Sequence, residues 1–168
     1  RAMRSLAIGV VLLSIACGRI VSAQVPPDSS ARIAELEQQV ARYLRLLGDW
    51  GGLTRYGSAD AELGPAKPGD QRVVFIGDDI TEAWSASGRF FPGKPYLNRG
   101  IARQTTPQML VRFRQDVIAL KPAVVVIQGG TNDVAGIGGP GTKGTLSDNL
   151  MSMTELAHAS GIRVVIAS

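Results

Sequence analysis

At 168 residues the chain has the length of one domain with a real core, and its 45% hydrophobic and 19% charged content is that of a globular protein. The formal charge of +4 suggests an acidic partner, but Arg1, Arg4 and Arg19 lie within the first 23 residues, which hold no acid. Beyond them 15 basic residues face 14 acidic ones, scattered rather than clustered, and that excludes the basic footprint of a nucleic-acid binder.

The chain opens with the pattern of an export signal. Arg1 and Arg4 flank the apolar run LAIGVVLLSIAC, which is short for a bilayer span but suits a signal-peptide core. Val21-Ser22-Ala23 has the small residues of a cleavage site, so residues 1–23 are expected to leave and the mature chain to start at Gln24. This predicts an exported protein, periplasmic or extracellular, with no transmembrane span in its mature form. The alternative is a lipid anchor on Cys17, the single cysteine, although Ser14 fits a lipoprotein cleavage box poorly. If Cys17 departs with the leader, disulfides, a thiol nucleophile and a cysteine metal site are all excluded.

Residues 24–71 are expected to form an N-terminal helix and a surface wrap. VPPDSS reads as a linker with helix-start residues. ARIAELEQQVARYLRLL then places Ile33, Leu36, Val40, Leu44 and Leu47 at helical spacing, and Gly48 to Gln71 is rich in Gly, Pro and Asp. From Arg72 to Ser168 strands and helices alternate. RVVFIG, AVVVIQGG and IRVVIAS are of strand length and mostly apolar, the pattern of strands buried on both faces, and PYLNRG is a shorter strand candidate. TPQMLVRFRQDVIAL and TLSDNLMSMTELAHASG carry apolar residues at helical steps between them. Such alternation predicts an α/β domain with a parallel sheet covered on both faces.

Ligands of an open parallel sheet bind beyond the carboxyl ends of its strands. Three ends here carry small or polar residues: Gly77-Asp78-Asp79, Asn98-Arg99-Gly100 and Gly130-Thr131-Asn132-Asp133. They either supply N–H donors to one oxyanion-binding volume or simply make turns.

The strings VVFIGDDIT, NRGIARQTTPQML and IQGGTNDVAG resemble, in order and spacing, the first three sequence blocks of the SGNH hydrolases, also called GDSL lipases or esterases. The resemblance covers about Asp49 to Ser168 and implies a flavodoxin-like three-layer α/β/α sandwich, here C-terminally incomplete. It implies hydrolysis of carboxylic esters, a small-molecule or glycan ester as substrate, and no cofactor or metal. By position it puts the nucleophile at Asp79, where the family has Ser. It puts oxyanion donors on the N–H of residue 79, the N–H of Gly100 and the side-chain amide of Asn132. The family's Asp-x-x-His block does not occur before Ser168, and the single histidine, His158, is expected on a surface helix at the end opposite the crevice.

Asp79 cannot act as a conventional esterase nucleophile, because it is already ionised near neutral pH and would occupy donors meant for the developing oxyanion. Low or no activity is therefore expected. Independently of function, Asp79 reads as an N-cap for the following helix, Asp78 as turn support, and Asp133 as a brace for its loop. Gln104, Thr105 and Thr106 either line the site or start a helix. Two other readings stand beside the hydrolase: a non-catalytic relative that binds an acyl or glycan ligand in the same crevice, and a Mg²⁺-binding receiver-like module built on Asp78-Asp79 with Asp133. A sheet ending on IRVVIAS would leave an apolar edge, so the isolated chain is expected to be marginal or aggregation-prone.

Overall fold

The computed structural model describes residues 27–86 and 90–167. The leader, its cleavage site and Cys17 lie outside the described residues. Along the chain the elements are α1 (Pro27–Gly48), α2 (Thr54–Leu63), β1 (Val73–Gly77), α3 (Asp79–Ala86), β2 (Tyr96–Gly100), α4 (Thr106–Asp116), a 3₁₀ turn (Ile118–Leu120), β3 (Val124–Gln128), α5 (Thr131–Val134), α6 (Thr142–Ala159) and β4 (Arg163–Ala167). They fall into two units, Arg1–Val40 and Ala41–Ser168.

In the first unit the described residues are the N-terminal part of α1. Its apolar Ile33, Leu36 and Val40 are exposed, and an i,i+3 contact between Arg32 and Glu35 at 2.6 Å braces the polar side.

The second unit is built on a four-stranded parallel sheet of order β2-β1-β3-β4. From β1 the chain moves out to β2 and then returns to β3 on the other flank, so the order reverses at β1. The crevice at the carboxyl end of β1 and β3 is thus the ligand position of a doubly wound sheet. Register brings Gly77, Gly100 and Gln128 to one level, so the three following loops leave the sheet side by side.

Alternation along the strands divides the side chains between the faces. Val74, Ile76, Val125 and Ile127 are fully buried on one face, in a cluster with Met109, Phe113 and Val117 from α4 and its end and with Met153 and Ala157 from α6. On the other face Phe75 meets Trp84 of α3 edge-on at 5.9 Å and stacks on Phe91 at 5.4 Å. That third layer covers β1 and β2. Val126 and Val165, in register with Phe75, are half-buried and 50% exposed. The expected sandwich is present, with its α3 layer over one half of the sheet.

One expectation is corrected. Gly48 to Gln71 is not a plain wrap, because it contains α2. Asp49 starts that helix: its carboxylate accepts from the N–H groups of Leu53 (2.7 Å) and Thr54 (2.9 Å) and from the Thr54 hydroxyl (2.6 Å). Gly64, at φ 64°, ends it. From α2, Asp60 forms a buried ion pair with Arg99, and the Tyr56 hydroxyl donates to Gly100 O at 2.5 Å, fastening the helix to the carboxyl end of β2.

Candidate functional site

The turn after β1 is tight. A Cβ on Gly77 would drive into the Thr81 hydroxyl and the carbonyl of Gln128, so glycine lets α3 start directly against β3. Asp78 is 1% exposed, and its Oδ1 accepts from the Ile80 N–H at 3.1 Å. The free N–H at the start of α3 is therefore served by Asp78, and the capping role expected of Asp79 belongs to its neighbour. Asp78 Oδ2 is buried without a partner. Burial, with the adjacent Asp79 charge adding to it, pushes the Asp78 carboxyl above the usual carboxylate range.

Asp79 is exposed and reaches across the crevice. Its Oδ2 accepts from the Asn132 amide at 2.8 Å and from the Arg103 backbone N–H at 2.7 Å. Burial acts to raise this carboxyl, but the two donors, with the Arg103 charge nearby, hold it below the usual range. Asp79 and Asn132 thus meet as expected.

Gly100 does not meet Asp79. Its N–H donates to Asn98 Oδ1 at 2.8 Å. Glycine is required there for another reason: a Cβ would collide with the backbone of Thr81 and Glu82, so Gly100 permits α3 to lie against β2. The second donor at Asp79 is Arg103, in the loop between β2 and α4. That residue takes φ 64°, a left-handed conformation unfavourable for a residue with a Cβ. The loop is held by Ile101 N–H to Gly77 O (3.0 Å) and Ala102 N–H to Glu82 Oε2 (3.0 Å), which turns the next N–H towards Asp79. No glycine or asparagine marks the position, so sequence patterning gives no sign of it.

Asn132 enters the crevice from α5, whose entry uses Gly130 at φ 116°. Its amide donates twice, to Asp79 and to the backbone carbonyl of Gln104 at 2.9 Å. Asp133, fully buried, accepts from the Thr106 N–H (3.0 Å) and hydroxyl (2.7 Å), bracing the start of α4 against α5. Gln108 Oε1 accepts from the Thr105 N–H at 2.9 Å, a half of a capping box. Thr105 and Thr106 therefore serve the helix start, as one of the two readings held.

His158 is exposed in the last turn of α6, which leads to the amino end of β4, away from the crevice. Asp133 is engaged by Thr106 and so does not join Asp78 and Asp79. Among the described residues no cluster of three or more His, Cys, Asp or Glu could hold a metal ion.

These elements define an open parallel α/β protein with two hydrogen-bond donors converging on one point at the switch in strand order. A carboxylate oxygen of Asp79 sits at that point.

The sequence model of the GDSL-like lipase/acylhydrolase family matches residues 75–168, and the chain belongs to that family. Among solved structures, a candidate acylhydrolase from Bacteroides fragilis is 45% identical, with a TM-score of 0.67 over 70% of this chain and 57% of that one. A GDSL-like lipase from Bacteroides thetaiotaomicron is 44% identical, with a TM-score of 0.66 over 69% of this chain and 57% of that one. The chain therefore spans little more than half the length of these relatives. Comparison with curated proteins finds no match. Among the described residues no helix is long and apolar enough to cross a membrane.

Proposed function

We propose that this chain carries the donor side of a carboxylic-ester hydrolase site whose own Asp79 occupies the oxyanion position, so that it turns over esters weakly or not at all. The observation that carries this reading is the Asp79 Oδ2 atom, held at once by Asn132 Nδ2 and the Arg103 N–H. Both are donors of the kind that stabilise a tetrahedral intermediate, and loss of one such donor costs about 3–4 kcal/mol of transition-state stabilisation. Here both are engaged, and the developing negative charge of an intermediate would also face the Asp79 carboxylate. The group in the nucleophile position is a carboxylate, whose attack on an ester would give an anhydride rather than a stable acyl-enzyme. The proposed substrate class is a small or glycan-borne carboxylic ester, met outside the cytoplasm by an exported protein.

Hydrolysis of p-nitrophenyl acetate by the purified chain tests the proposal. At most a weak rate above buffer is expected. Robust, saturable turnover would sink it.

A further inference from the structure

We infer that Arg112 is the positioning residue of the donor pair, locking the Gln104 segment that carries Arg103 on one side and orients Asn132 on the other. Arg112 lies in α4, fully buried, and touches neither Asp79 nor the crevice surface. Its planar guanidinium spreads over three elements. Nε donates to Gln104 Oε1 at 2.6 Å, Nη2 to Gly77 O at 3.1 Å, and Nη1 to Asp116 Oδ2 at 2.8 Å. Gln104 is pinned from the other end, its Nε2 donating to Gly51 O at 2.9 Å.

The consequences run directly to the site. Gln104 follows Arg103, so a fixed Gln104 fixes the peptide that follows the left-handed residue. The backbone carbonyl of Gln104 takes one of the two Asn132 amide protons, which leaves the other aimed at Asp79. Gly77 O, two residues before Asp79, accepts from both Arg112 and the Ile101 N–H, so one carbonyl ties the turn to the same loop. The fork thus joins two strand-end segments directly and reaches the third, at Asn132, through the Gln104 carbonyl, a geometry that lysine cannot reproduce.

Stability alone gives a weak reason for such a group. Burial pushes the Arg112 guanidinium down and the Asp116 carboxyl up, and a buried ion pair is often replaced by apolar residues of equal volume without loss. A positioning task explains why the fork is there. The inference rests on the donor pair and not on turnover, so a chain without esterase activity still tests it.

The test is NMR on the 168-residue chain labelled at Asp and Asn. It follows the Asp79 carboxyl titration and the Asn132 side-chain amide in wild type, Arg112→Lys, Gln104→Leu and Asp116→Asn. The ionisable groups facing Asp79, namely Asp78 on its own turn and Arg103 on the loop, are unchanged throughout. In folded Arg112→Lys and Gln104→Leu, the Asp79 midpoint is expected to move up towards the usual carboxylate value and the Asn132 amide resonances to shift. Asp116→Asn, which keeps the links to Gln104 and Gly77, is expected to lower the melting temperature and leave both signals in place. Unchanged Asp79 and Asn132 signals in either folded variant would overturn the inference. An equal shift in Asp116→Asn would also overturn it, by showing general loosening. Should Arg112→Lys fail to fold, Gln104→Leu decides, since it cuts the fork from the loop while leaving the ion pair intact.

Discussion

Two adjacent aspartates at the end of β1 have opposite electrostatic fates, and the cause is what surrounds each carboxylate. Asp79 faces solvent with two donors on one oxygen, so ionisation is favoured and the stability it contributes is present above 3.8 and lost as pH falls through its lowered folded value. Asp78 is buried with one oxygen unpartnered, so its protonated form is favoured. The stability it contributes is complete below 3.8 and is lost as pH rises through its raised folded value. Denaturant unfolding across that second window is expected to show stability declining with pH in wild type and a shallower decline in Asp78→Asn. Equal slopes would refute the assignment. At Asp79 itself, removal of the carboxylate frees the donors. Asp79→Ser is expected to bind acetate with a shift of the Arg103 amide resonance, and wild type to show none, because its own carboxylate already fills the place. The meeting of Asp79 and Asn132 was legible from strand-end position together with the family resemblance. The donor at Arg103 was not legible, since its contribution is a backbone N–H turned by the loop and independent of its side chain.

At the scale of elements, glycines decide how closely α3 sits on the sheet. Gly100 was expected to donate to the oxyanion point and instead makes room for the backbone of Thr81 and Glu82. Gly100→Ala is therefore expected to cost about 2–3 kcal/mol of stability through overpacking, read as a lower denaturation midpoint. A neutral effect would show that α3 can retreat at little cost. β1, β3 and β4 follow from apolar runs and α4 and α6 from helical spacing, and each predicted strand is present to within a residue or two. α2 escaped notice because its flanks, Gly48 to Gly52 and Gly64 to Gly69, are dense in turn formers, and its interior includes Gly57. Its anchors are long-range: Asp60 on Arg99 and Tyr56 on Gly100 join residues some forty positions apart, a relation no local pattern reports.

At the scale of the molecule, β4 is a flanking strand of the described sheet. Among the described residues β4 pairs only with β3, and Val165 and Ile166 are 50% and 54% exposed on its two faces. A parallel edge carrying apolar side chains on both faces is a template for further pairing. Sedimentation of the second unit's chain is accordingly expected to give a mass that rises with concentration, and Ile166→Lys to suppress the rise. A strict monomer in wild type would contradict this. The sequence by itself determined the alternating α/β order, the parallel sheet and the family, because strand and helix periods and the three strand-end blocks are local in the chain. Tertiary structure alone decided which donors meet Asp79, since that depends on a left-handed backbone at Arg103 and on a buried guanidinium joining segments far apart in sequence. Local pattern records what each segment is, whereas hydrogen-bond geometry between segments exists only once they are packed.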